Sequence, residues 1–285
     1  MDNYDMFVPK VHFELIPIKN LVSNQEYQRN LSVPHIKKAA SDFDLYQVNP
    51  VKVSRRNGIN YVFDGQHTTE IIAMVSGSRE TPVWCMVYDD LCYEEEAGIF
   101  ANQSEYVRPL TPYDKFIGNI ESGNDEELVI KELVESFGLT IDAKPGRNRI
   151  CAISTIQSIF RKYGYHTLRR VIMLCVATWE GDMHSFSANI MNAITRLIIT
   201  YGDELNDEIF KERLGMVSLK YLARTAKERN IGALGYAEAM VIEYNGKTKN
   251  PKLRLKIDRL HMRVISQLLD AENVPVSVGT ENIEE

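Results

Sequence analysis

Asp64, His67 and Glu70 fall three residues apart within the run Tyr61-Val62-Phe63-Asp64-Gly65-Gln66-His67-Thr68-Thr69-Glu70-Ile71-Ile72-Ala73. Two carboxylates and an imidazole at that spacing can exchange protons or share a divalent metal, and in an enzyme they would be the catalytic group. They can equally serve the turn itself. His67 and Asp64 would then hydrogen-bond the loop, and Glu70 would complete a capping arrangement at a helix start. The residues between them suggest a second chemistry. Gly65, Gln66, His67, Thr68 and Thr69 form a glycine-hinged, hydroxyl-rich segment, and such a segment seats a phosphate where backbone N–H groups and a helix dipole converge. An ordinary strand-to-helix connection carries the same pattern.

The elements around this run must place it. Tyr61 to Phe63 is an apolar, aromatic strand that stops at Asp64-Gly65, a pair that favours a tight turn. Ile71, Ile72, Met74 and Val75 are spaced as the buried face of a helix that Gly77 ends. Upstream, Val51-Lys52-Val53-Ser54 reads as a strand and Arg55-Arg56-Asn57-Gly58 as a hairpin turn into the Tyr61 strand. Before that lie an edge strand from Val11 to Ile18, a polar loop from Asn24 to Arg29, and a helix opened by Ser32-Val33-Pro34 with Ile36, Ala39, Ala40 and Phe43 on its apolar face. Pro82 to Tyr88 is a further buried strand. Glu94-Glu95-Glu96 opens another helix, its acids placed where the dipole favours them.

From Pro112 onward the pattern is helical. Helices are predicted from Tyr113, over Glu126–Phe137, Ile150–Tyr163, about His166–Trp179, Phe186–Tyr201, Asn206–Leu214 and Leu219–Arg229, with Gly138 and Gly164 as stops. The fold class is therefore α+β, with an N-terminal α+β domain over 11–110 and an all-helical domain over 111–270. A flexible arm (1–10) and a disordered acidic tail (271–285) flank them.

Composition bounds the function. The chain of 285 residues is 44% hydrophobic and 25% charged, and no apolar run approaches the ~20 residues of a membrane span. Acids stand at the start where a secretory signal would be positive, and Cys85, Cys92, Cys151 and Cys175 are scattered without a CxxC pair. A cytoplasmic protein with reduced thiols and no membrane partner is the expectation. The net charge of −6 argues against indiscriminate nucleic-acid binding, yet the charge is segregated. Between Ala143 and Trp179 no acid interrupts Lys144, Arg147, Arg149, Arg161, Lys162, Arg169 and Arg170. A second basic stretch runs from Lys247 to Arg263 against a single Asp258. Lys144, Arg147, Arg149, Arg161 and Lys162 are the candidate DNA contacts, and a solvated helical face is the competing reading.

A family resemblance joins these features. In order come Tyr27-Gln28-Arg29, Asp42-Phe43-Asp44, Asn49-Pro50-Val51-Lys52-Val53-Ser54-Arg55-Arg56, Tyr61 to His67, Pro82-Val83-Trp84-Cys85, Glu94-Glu95-Glu96-Ala97 and Leu110-Thr111-Pro112. Over residues 12–113 this series resembles the ParB/sulfiredoxin-like N-terminal domain, in the branch of phage and mobile-element proteins with an Asp-Gly-Gln-His motif. The resemblance implies that the loop from Asp64 to Thr69 binds the phosphates of CTP or ATP with Mg²⁺. It also implies that DNA is the partner and the nucleotide a switch. Where the family has an arginine after the histidine this chain has Thr68, and Arg29 could reach the pocket in its place or pair with Asp42 or Asp44. Sulfiredoxins carry their nucleophilic cysteine where Gln66 stands, so sulfinic-acid reduction is not implied. Gln103 to Arg108 replaces the Glu-Asn approach of the partition proteins. Glu132 to Thr140 resembles the first helix and turn of a helix-turn-helix, but the loop from Ile141 to Asn148 intervenes before the next helix. The competing classes are an enzyme using the same pocket (an NTP hydrolase, a small-molecule kinase or a metal-dependent nuclease) and a scaffold that lost the ligand. A homodimer stays open.

Overall fold

The computed structural model describes residues 10–23, 27–28, 30–89, 91–103, 105, 108–246 and 253–261. Arg29, most of the N-terminal arm, Lys247, Lys249, Lys252, Arg263 and the acidic tail lie outside the described residues. The chain divides into two compact units, Met1–Pro109 and Leu110–Glu285. No helix among the described residues is long and apolar enough to cross a membrane.

The first unit is built on strands β1 (Val11–Pro17), β2 (Leu21–Ser23), β3 (Val51–Arg56), β4 (Ile59–Asp64) and β5 (Pro82–Tyr88), with helices α1 (Val33–Ser41), α2 (Gln66–Ser76) and α3 (Tyr93–Asn102). The sheet order is β1-β5-β3-β4-β2, with β1 antiparallel to β5, β5 parallel to β3, β3 antiparallel to β4 and β4 parallel to β2. Alternation selects the buried face. Ile16, Val51, Val53, Val62, Val83, Cys85 and Val87 point to one side and pack with Ile72 and Ala73 of α2. Asn57 and Gly58 turn the β3–β4 hairpin with φ of 50° and 75°, the positive pair that a two-residue hairpin loop requires. Strand β2 had no sequence signal; three residues are too short for alternation to show.

The second unit is helical: α4 (Pro112–Glu121), α5 (Asp125–Ser136), α6 (Ile153–Trp179), α7 (Ala188–Tyr201), α8 (Asp207–Gly215), α9 (Leu219–Arg229) and α10 (Ala233–Asn245). Two short strands, β6 (Thr140–Ile141) and β7 (Arg149–Ile150), pair in parallel. The helix predicted from Ile150 begins at Ile153, because Arg149 and Ile150 belong to β7. Gly164, with φ 77° and ψ 176°, breaks the run through α6 where the sequence placed a stop. Helix α10 was not predicted. It buries Ala237, Ala239, Met240, Val241 and Tyr244, so apolar residues surround it and leave no stripe to read. At Gly235 an added Cβ would meet the Asn230 carbonyl oxygen at 2.2 Å and that of Ala226 at 2.4 Å, so only glycine admits this approach of α9 to α10.

Candidate functional site

Strand β4 ends at Asp64, and Gly65 turns the chain directly into α2 with φ 96°, a left-handed conformation that side chains resist. A Cβ at Gly65 would lie 3.3 Å from both Cα and Cγ2 of Val51, so the angle selects glycine and a side chain would also make Val51 give by a few tenths of an ångström. Gly65 is also the N-cap residue, and it brings no side chain of its own to cap α2. The positive end of an 11-residue helix therefore opens at this turn.

Three further groups converge on it. The register of β3 on β4 shifts between Lys52 and Val53, leaving Lys52 opposite Asp64. The Lys52 ammonium lies 3.3 Å from the Asp64 carboxylate, with both side chains partly exposed. His67 accepts a hydrogen bond at Nε2 from the Ser32 N–H at 3.2 Å, and Ser32 is the N-cap of α1. His35 of α1 stands edge-on to His67, with ring centroids 5.6 Å apart. The opening turns of α1 and α2 thus meet, and a lysine stands beside them. That arrangement favours an anion, because both helix dipoles present their positive ends.

Not every candidate residue faces this seat. The Thr69 hydroxyl donates to the Gln66 carbonyl at 2.7 Å, which turns it onto its own helix, and Gln66 is buried. Thr68 is half-buried in the same first turn. Glu70 accepts two hydrogen bonds from Arg79, at 2.9 and 3.0 Å, and its bond holds the arginine above its ordinary pKa. Asp64 and Glu70 are therefore engaged by two different cations. Among the described residues no group of three His, Cys, Asp or Glu side chains gathers to hold a metal.

The sequence reading missed what anchors the Tyr27-Gln28 segment. Glu96, read as one of three acids that open a helix where its dipole favours them, is fully buried. Glu95 of that triplet caps the helix, accepting from the Cys92 N–H at 2.9 Å. Glu96 instead takes a hydrogen bond from the Tyr27 hydroxyl and an ion pair from Arg56 at 2.8 Å. The Arg56 guanidinium lies 4.4 Å from the centre of the Tyr61 ring, and Tyr27 packs on Tyr93 and Phe100. Gln28 donates to the Val62 carbonyl, so this segment is tied to β4 just ahead of Asp64. Burial, then Glu96, pushes the Tyr27 phenol well above its ordinary range.

In the second unit the basic stretch is acid-free only along the sequence. Arg149 sits on β7 and pairs with Asp142 at 3.0 Å. Arg161 pairs with Glu126 at 2.7 Å and lies 3.6 Å from the buried Glu127, which also accepts from Gln157 and Asn119. Arg170 is held by Asp207 and by the Leu205 carbonyl, each at 2.7 Å. Lys144 and Arg147 are exposed on the loop between β6 and β7, and Lys162 is exposed on α6. Of the five candidate contacts, Lys144, Arg147 and Lys162 make no ion pair with a described carboxylate.

Among solved structures, the chain is similar to the C-terminally truncated chromosome-partitioning protein ParB from Caulobacter crescentus complexed with CTP-gamma-S. The identity is 14% over 81% of this chain and 99% of that one, with a TM-score of 0.34. No curated protein matches. The family described as a family of unknown function, DUF6551, matches residues 22–257, and the chain belongs to that family.

Proposed function

We propose that this protein binds a nucleoside triphosphate through the Gly65 turn and contacts DNA through its helical unit, in the manner of a ParB-like switch. One observation carries the reading: Gly65, left-handed at φ 96° and so close to Val51 that an added Cβ would lie 3.3 Å from it, opens α2 as an N-cap without a side chain, beside Lys52. A phosphate there would meet the dipole of α2, with the ammonium of Lys52 in reach once its bond to Asp64 exchanges. The motif series from Tyr27 to Pro112 supports the same assignment, with CTP or ATP as the nucleotide. Mg²⁺ would arrive with the phosphates, since among the described residues no carboxylates gather there to build a protein cage.

The enzyme reading needs Asp64, His67 and Glu70 to act on one substrate. Glu70 would first have to leave a two-bond contact with Arg79, and no observation favours that. The test is a thermal-shift series with CTP, ATP, GTP and UTP, each with and without Mg²⁺. A ligand bound by the native state alone adds about 2.7 kcal/mol of stability at a hundredfold excess over Kd, and the melting midpoint rises with it. A chain that none of the four shifts does not use this turn for nucleotides.

A further inference from the structure

The sheet of the first unit has two edges, and they are finished differently. Strand β2 closes one side with three residues, a short edge of the kind that discourages further pairing. Strand β1 closes the other with seven, paired to β5 without a register shift from Val11–Tyr88 to Pro17–Pro82. Its outer row of backbone groups pairs with no strand among the described residues. The sheet face beside that edge is apolar. Leu15 stands opposite Trp84 and Phe13 opposite Met86, and Phe13, Leu15 and Trp84 are 58%, 49% and 56% exposed. A long, regular edge with an apolar flank is a template for another strand.

We infer that the strand completing this edge is β1 of a second copy, joined antiparallel about a twofold axis at Phe13. The side chains select that register. Centring on Phe13 sets the two Phe13 rings together, Val11 against Leu15, and His12 against Glu14 on both sides of the axis. Centring on Glu14 would oppose two carboxylates, and centring on His12 would oppose two imidazoles. The face opposite Phe13 already carries both signs, with Asp89 3.1 Å from the His12 ring and Arg55 on Glu14 at 2.7 Å, so the partner's His12 and Glu14 meet complementary groups. The joined sheet would carry Phe13, Leu15 and Trp84 of both copies on one continuous face.

Sedimentation equilibrium of the full chain tests this, with circular dichroism of each variant to confirm folding. The wild type is expected at the mass of two chains, dissociating on dilution. Phe13→Lys, which opposes two ammonium groups at the axis, is expected at the mass of one chain. His12→Lys sets a cation against Glu14 and should retain the pair, whereas His12→Glu should weaken it by roughly tenfold because the repulsion recurs on both sides. A wild type that stays at one chain overturns the inference and assigns the patch to another segment or another protein. A pair that survives Phe13→Lys, or that ignores the sign at position 12, overturns this seam and register.

Discussion

The imidazole of His67 accepts a hydrogen bond from the backbone N–H of Ser32, 3.2 Å away, and so ties the first turn of α2 to the N-cap of α1. Ser32 makes no side-chain cap of its own, and the ring takes the N-cap N–H, the half of a capping box that a residue at N3 ordinarily supplies. His67→Ala should lower the stability of the first unit by about 1 kcal/mol, the ordinary worth of one such bond. It should also weaken nucleotide binding, because α1 would no longer hold its end at the turn. Urea unfolding beside a nucleotide titration measures both, and unchanged stability would show that the Ser32 bond contributes nothing.

Gly65→Val brings two separate penalties. The left-handed angle costs about 1–2 kcal/mol for a residue with a Cβ, and the added atom meets Val51 at 3.3 Å. A lower melting temperature with no nucleotide-induced shift is expected. A variant that still binds nucleotide with wild-type affinity would place the phosphate elsewhere.

Glu70 separates the binder from the enzyme. Its pair with Arg79 is partly exposed, so Glu70→Ala should cost at most about 1 kcal/mol. Nucleotide affinity should stay unchanged, since the carboxylate is turned to Arg79 and not to the Gly65 turn. Loss of a metal-dependent turnover in this variant would instead favour the catalytic reading of Asp64, His67 and Glu70.

How much of this was legible depended on how far the deciding partner lies along the chain. The Asn57-Gly58 hairpin and the Gly164 break are local, and their residues announce them. The site turn was legible for the same reason, since strand, glycine and helix follow one another in sequence. Arg161 and Arg170 misled because their carboxylates lie 35 and 37 positions away, so an acid-free stretch becomes a set of ion pairs once helices pack. Glu96 was hidden by its neighbours: Glu94 and Glu95 are solvated helix-opening acids. The tyrosine that shows Glu96 to be buried stands 69 positions upstream.

The Tyr27–Glu96 bond also predicts an alkaline response. The folded chain raises the Tyr27 phenol above its ordinary 10.0, first by burial and then through Glu96, so it holds the proton more tightly than the unfolded chain does. Stability from that proton is complete below about pH 10 and is lost as pH rises through the folded value. Tyr27→Phe should therefore be less stable than wild type at neutral pH, by about 1–3 kcal/mol for the carboxylate it leaves short of a donor. The gap between the two should narrow above pH 10. Parallel urea titrations at pH 7 and pH 11 cancel the other tyrosines, and a gap that widens would contradict the assignment.

The DNA reading now rests on fewer residues than the sequence offered. On the loop between β6 and β7, Lys144 and Arg147 are exposed and make no ion pair with a described carboxylate, while Arg149 is already neutralised by Asp142. Each phosphate contact contributes about 0.9 to the log–log salt slope on duplex DNA. Replacing Lys144 and Arg147 together by Ala should weaken binding and flatten that slope by up to about two units, with little loss of stability. Arg161→Ala should do the reverse. It should leave the slope nearly unchanged and lower stability by about 1–3 kcal/mol, because Glu127 is buried and would lose its nearby cation. Gel-shift titrations at two salt concentrations, with thermal melts of the same variants, separate these outcomes. A slope that ignores the Lys144/Arg147 pair removes this loop from the DNA surface, and one that falls with Arg161 would mean its ion pairs open when DNA arrives.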